Sequence, residues 1–212
     1  MLISHRHKFI FIHIYKNAGS SITFALRPFA ETGWRFRMWK KLRCLGWDLR
    51  TFSPQPLPAH IMAGAAYREL GSRVWEDYFT FAFVRNPWEW QVSLYRYMLS
   101  QPSHRQHHVV KQLGSFSAYL QWRCGDPSHV VLQRSFIYEQ ESLLVKFVGR
   151  YESIETDFRA ICGKVGISTE LPKINVSNTD PYQQYYDRES KELVAKTYQE
   201  DLDTFGYVFD EP

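Results

Sequence analysis

Within six residues the chain sets Lys16, Gly19, Ser20 and Ser21, in the run I-H-I-Y-K-N-A-G-S-S-I-T at positions 12–23. An ammonium group, a glycine and two hydroxyls in that order suit an anion such as a phosphate or sulfate. The lysine supplies a mobile point charge, the glycine lets backbone approach closely, and the hydroxyls donate hydrogen bonds or cap a helix. The lysine precedes the glycine, so the stretch is not the triphosphate loop G-x-x-x-x-G-K-[ST]. Taken alone, it reads equally as a solvated lysine in a turn and a plain N-cap serine. A second group lies in F-V-R-N-P-W-E-W-Q-V-S-L-Y-R, residues 83–96. Arg85 and Ser93 are eight residues apart there, about two helical turns, and can grip one phosphate from two sides. The bland alternative is a surface arginine and a packed serine. His60 is a candidate general base, because imidazole titrates near neutral pH; a purely structural histidine is its alternative.

The elements that would position these groups are legible. Residues 9–14 form an apolar, β-branched and aromatic run, which predicts a strand buried on both faces, as in a parallel sheet. A helix from Gly19 to about Phe29 follows, so strand, tight loop and helix make half of a βαβ unit. Short helices are expected at 63–70 and 72–77, and a second buried strand at Phe79–Val84. Asn86-Pro87 breaks that strand, and Pro87 suits the first turn of a helix running to about Leu99. Arg85 then stands at the C-terminal end of an inner strand, where open α/β sheets bind ligands. Two strands are expected within 134–150, one at 135–138 and one at 143–150. Amphipathic helices are expected at 153–166 and 187–204. The fold class is therefore α/β, with a central, mostly parallel sheet between helices in three layers. Residues 31–57 and 101–131 read as insertions in one domain spanning 1–212, the second partly helical at 116–123.

Composition narrows the function classes. The chain has 212 residues, 44% hydrophobic and 17% aromatic, enough for a substantial core. No run of 18 apolar residues predicts a membrane span. The N-terminal stretch reads as a first strand rather than a leader. Cys44, Cys124 and Cys162 are odd in number and form no C-x-x-C pair, so neither a disulfide framework nor a zinc site is suggested, and a reducing cytoplasm fits. A net charge of +4 suits an anionic small molecule and is too weak to argue for nucleic acid. His104, His107 and His108 lack a cysteine or carboxylate in ligand spacing and read as a solvated polar cap. His13, inside the first strand, reads as a core or edge histidine. Tyr182, Tyr185 and Tyr186 suit an aromatic substrate wall or simple packing.

The two anion-binding stretches together resemble the sulfotransferases that use 3′-phosphoadenosine 5′-phosphosulfate (PAPS), especially the bacterial and carbohydrate-type branch. Lys16, Gly19, Ser20 and Ser21 are similar to its P-K-x-x-G-[ST]-[ST] loop, with Tyr15 where the family has proline. Phe83 to Tyr95 resembles its F-V-R-N-P-W-x-x-x-V-S-x-Y stretch almost without a break. Pro58-Ala59-His60, the segment 147–158, Leu171 to Ser177, and a terminal D-x-x-x-F-G-Y starting at Asp201 or Asp203 extend the likeness over most of the chain. The resemblance implies a P-loop NTPase-like sulfotransferase fold and transfer of a sulfuryl group from PAPS to an acceptor hydroxyl, that of a sugar or glycan. It implies that Lys16 and His60 are catalytic. Lys16, Asn17, Ala18, Gly19, Ser20 and Ser21 would hold the 5′-phosphosulfate end, Arg85 and Ser93 the 3′-phosphate, and Tyr151 the adenine. No metal is implied. The competing readings are a P-loop kinase using ATP and magnesium, and a non-catalytic nucleotide-binding relative. Against the kinase stand the absent G-K-[ST] order and the absence of an apolar strand ending in an aspartate.

Overall fold

The computed structural model describes residues 1–30, 57–172 and 180–210. The excursion expected at 31–57, apart from Leu57, and the stretch from Lys173 to Ser177 lie outside them. The chain forms two compact units: Met1–Val84 with Ser135–Ile174, and Arg85–Arg134 with Asn175–Pro212.

The first unit carries a four-stranded sheet ordered β1 (Leu2–Ser4), β2 (Phe9–Ile12), β3 (Phe79–Val84) and β6 (Phe147–Arg150). Strands β2, β3 and β6 are parallel, whereas β1 is antiparallel to β2, with Leu2 opposite Phe11. The N-terminal stretch is therefore two strands rather than one. A turn at residues 5–8, with Lys8 at φ 48°, folds β1 back along the edge. Strand β2 stops at Ile12, two residues short of the expected end, because His13 and Ile14 already belong to the loop that follows.

Alternation along the strands decides the core. Phe9, Phe11, Phe81 and Phe83 point to one face and pack against Ile22, Ala25 and Leu26 of α1 (Gly19–Leu26) and Phe158, Ile161 and Cys162 of α7 (Ile154–Val165). Phe11 and Phe81, paired in register, stack at 5.3 Å. Ile10, Ile12 and Ala82, on the opposite face, have no exposure. The sheet is thus covered on both sides, which explains why β2 and β3 read as continuous apolar runs. Gly149 sits opposite Phe83, and a Cβ there would lie 2.5 Å from the Phe83 ring. Helices α2 (Ala63–Leu70) and α3 (Ser72–Asp77) fall where expected.

The strand expected at 135–138 is not formed. Arg134–Phe136 makes a 3-10 turn, and a hairpin of β4 (Tyr138–Glu139) and β5 (Ser142–Leu143) follows. Its two-residue loop puts Gln140 at φ 53°, the geometry that tight hairpins require. The apolar run at 143–150 is shared between this hairpin and β6. Its interruption is Lys146, whose backbone N–H is held by Thr80.

The second unit is helical. Asn86 caps α4 (Pro87–Ser100), its side chain accepting from the Trp88 N–H at 3.1 Å, and Pro87 occupies the first turn. Helices α5 (His107–Leu113), α6 (Phe116–Gly125), α8 (Arg188–Thr197) and α9 (Gln199–Phe205) complete it. Two helices, rather than one, fill residues 101–131. His107 is buried and its Nδ1 donates to the Met98 carbonyl at 2.9 Å, so it is a packing residue and not part of a solvated cap. The helix expected at 187–204 breaks at Tyr198, which leaves helical geometry to bury its ring edge-on against Trp90. Tyr186 donates to the Trp88 carbonyl at 2.8 Å and packs on Phe116 and Phe209, which settles it as packing. The mostly parallel sheet flanked by helices is the α/β architecture expected from the sequence.

Candidate functional site

The loop after β2 has unusual backbone geometry. Lys16 and Ala18 both take positive φ, at 64° and 54°, although neither is glycine and each such residue stores of order 1–3 kcal/mol. Left-handed residues alternating with ordinary ones turn successive N–H groups toward one concavity, a common anion cradle. The N-cap of α1 is Ala18, which has no side-chain oxygen, and no side chain caps the helix there. Gly19, Ser20 and Ser21 therefore occupy the first turn, and neither serine is the cap. Ser20 is exposed and Ser21 is buried. The first-turn N–H groups and the positive end of the helix dipole face the loop.

Side chains around this loop fix its shape. Asn17 is buried, and its Nδ2 donates to the Phe83 carbonyl at 2.7 Å, fastening the loop to the end of β3. Tyr15, in the position where proline was expected, packs edge-on against His60 and Phe136, both at 5.8 Å. Gly19 is required for a reason the sequence did not suggest. A Cβ there would lie 1.7 Å from His13 Nε2, because the imidazole fills that space.

His13 and His60 form a pair with ring centroids 4.6 Å apart. Burial, then the charge of His60 and of the N-terminus, pushes His13 down to about 3. It is half-buried and neutral at any ordinary pH. His60 is exposed, and its Nδ1 lies 3.0 Å from the His13 carbonyl. A carbonyl only accepts, so Nδ1 carries a hydrogen, and in the neutral ring the lone pair is on Nε2. That is the tautomer a base needs, with the ring oriented by backbone. Tyr151 opens a 3-10 turn directly after β6. It shares the C-terminal edge of the parallel strands with the loop after β2, the edge at which α/β sheets take ligands.

Arg85 and Ser93 belong to the second unit, and there they line one cleft of about 110 Å³. The guanidinium of Arg85 is buried and donates to Glu89 at 2.6 Å. Its backbone is clamped by Gln133: the Arg85 N–H donates to Gln133 Oε1 at 2.9 Å, and Gln133 Nε2 donates to the Arg85 carbonyl at 2.7 Å. Asp201 holds that clamp, accepting from the N–H groups of Gln133 and Arg134, each at 2.8 Å. Asp201 has no exposure, and burial pushes it up to about 6 against the pull of those two amides. Asp203 instead meets Gln199 on the surface, so Asp201 is the aspartate of the terminal pattern that serves the cleft.

Sequence reasoning missed Glu89, Arg96 and Gln183, which also line the cleft, as does Tyr182, a residue the sequence left open between a substrate wall and packing. The signal was available for two of them. Glu89, Val92, Ser93 and Arg96 are spaced i, i+3, i+4 and i+7, one stripe on α4. Gln183 arrives from far along the chain and had no local mark. Among the described residues no three metal-ligating side chains converge, and no helix is long and apolar enough to cross a membrane.

Two comparisons bear on these features. Over 114 residues the chain is 26% identical to an uncharacterized protein of Archaeoglobus fulgidus, a match covering 53% of this chain and 89% of that one. The pattern of the sulfotransferase family matches residues 1–208. A match of that extent takes in the loop of Lys16, the strand ends and the Arg85 cleft alike. The chain belongs to the sulfotransferase family and is a transferase of sulfuryl groups.

Proposed function

We propose that this protein transfers the sulfuryl group of PAPS to a hydroxyl of a carbohydrate. The observation that supports the reading is the shared cleft of Arg85 and Ser93, where a buried guanidinium and a helix hydroxyl meet. A ribose 3′-phosphate there would distinguish this nucleotide from ATP. Lys16, the amides from Asn17 to Gly19, and the hydroxyls of Ser20 and Ser21 are assigned to the 5′-phosphosulfate end, and Tyr151 to the adenine. The carbohydrate acceptor rests on the family branch that the sequence resembles. We treat residues 1–212 as one sulfotransferase domain and assign acceptor selection to 31–57 and 101–131. Cys124 and Cys162 are free thiols, in keeping with a reducing cytoplasm.

The chemistry needs little covalent work from the protein, as in phosphoryl transfer. His60 Nε2 takes the proton of the acceptor hydroxyl as its oxygen bonds to sulfur. The bond between sulfur and the bridging oxygen breaks, and the leaving phosphate keeps the electron pair. Lys16 meets the charge that develops on that oxygen. Positioning of donor and acceptor in line supplies the remainder.

Thermal unfolding with adenosine 3′,5′-bisphosphate or ATP tests the donor. The bisphosphate should stabilise the protein and ATP should not, and Arg85→Ala should abolish the effect. Stabilisation by ATP alone would favour the kinase reading. Transfer from labelled PAPS to a panel of sugars, phenols and amines then tests the acceptor; label on phenols only would refute the carbohydrate.

A further inference from the structure

The cleft that contains Arg85 and Ser93 holds four charged side chains whose balance is informative. Arg85 and Arg96 are cationic; Glu89 and Asp180 are anionic. Glu89 lies 2.6 Å from Arg85 and compensates it directly. Without Arg96 the described lining would carry a net negative charge, and a phosphate dianion would meet repulsion there. Arg96 is also the more loosely matched cation. Its Nη2 is 3.9 Å from Asp180, whose side chain is 69% exposed and so is screened by water. Its Nη1 is buried with no hydrogen-bond partner. The guanidinium lies over the Tyr185 ring at 5.5 Å, which restrains the side chain at the cleft wall.

We infer that Arg96 is a second phosphate-binding residue, taking the ribose 3′-phosphate together with Arg85 and Ser93 and setting the preference for a 3′-phosphorylated nucleotide. This rests on the nucleotide reading above. Arg85 spends part of its charge on Glu89, so Arg96 supplies the excess positive charge that the dianion requires. A guanidinium bonded to phosphate is a charge-assisted pair, and the loss of one such bond amounts to roughly ten- to a hundredfold in affinity.

Isothermal titration with adenosine 3′,5′-bisphosphate and with adenosine 5′-phosphate tests it, on the intact protein and on Arg96→Gln. The wild type should prefer the bisphosphate. Arg96→Gln should lose about tenfold or more on the bisphosphate and less than about twofold on the monophosphate. If the wild type does not distinguish the two ligands, the 3′-phosphate reading of the cleft falls, and this inference with it. If the wild type distinguishes them and Arg96→Gln still does so to the same degree, the inference alone is wrong. Equal losses on both ligands would mark Arg96 as structural and also overturn it. Should Arg96→Gln fail to fold, Arg96→Lys keeps the charge but not the fork. Its loss should be partial and confined to the bisphosphate, and an equal loss on both ligands would refute the role.

Discussion

Replacing Gly19 with alanine tests how the loop of Lys16 is held. The added Cβ would lie 1.7 Å from His13 Nε2, 2.0 Å from Cδ2 and 2.5 Å from Cε1, where ordinary contact begins at 3.4 Å. The imidazole would have to retreat by about 1.7 Å, and it has little room, since it is stacked on Phe11 at 5.6 Å and set against His60 at 4.6 Å. Overpacking of this kind costs about 1–3 kcal/mol. Alanine in a helix recovers roughly 0.5–1 kcal/mol of backbone entropy relative to glycine. The net destabilisation is therefore about 1–2 kcal/mol, or a fall in Tm of about 2–8 °C for a chain of this size. The decisive assay is a double-mutant cycle in urea with His13→Ala. Removing the ring removes the obstacle, so Gly19→Ala should be neutral or mildly stabilising in that background, with a coupling of about 1–3 kcal/mol. An equal effect of Gly19→Ala in both backgrounds, or no effect in the wild type, would refute the account.

Two further outcomes follow from the geometry. His60→Gln should bind adenosine 3′,5′-bisphosphate as the wild type does, yet lose about 10²–10⁴-fold in the rate of transfer; an unchanged rate would remove His60 as the base. Asp201 has a folded value near 6 against 3.8 for the ordinary group, so the native state binds its proton more tightly than the unfolded chain does. Its contribution to stability therefore falls as pH rises from about 4 to about 6, by at most about 3 kcal/mol. Asp201→Asn should flatten the unfolding free energy over that window, and an unchanged pH profile would show that the carboxylate is not desolvated.

Much of this was legible because the sequence signals were local. The aromatic run of β3 and the Asn86-Pro87 cap need only neighbours, and both fall where the residues indicate. What failed was set by distant partners. Tyr198 resembles any helix residue, and only its burial against Trp90 breaks the helix. The 135–138 segment has strand-forming residues, but its chain is spent on a turn and a tight hairpin. In the candidate site, Arg85 and Ser93 were found as a pair because they lie eight residues apart across the start of one helix. Gln133 and Asp201, which fix Arg85, come from 48 and 116 residues away, and no spacing rule joins them.

The loop of Lys16 shows why residue types alone misdescribe a site. Glycine in such loops is usually read as freedom for backbone to meet an anion. In this chain the left-handed positions are Lys16 and Ala18, not Gly19. The two strained residues place the lysine and aim the amides. The strain persists because the flanks are anchored by Asn17 on the Phe83 carbonyl and by Tyr15 between His60 and Phe136. Gly19 instead admits the neutral ring of His13, whose own carbonyl sets the tautomer of His60. One contact therefore couples the proposed phosphate loop to the proposed base, through His13, which need touch neither donor nor acceptor. A substitution at His13 or Gly19 should alter binding and transfer together, whereas one at His60 should separate them.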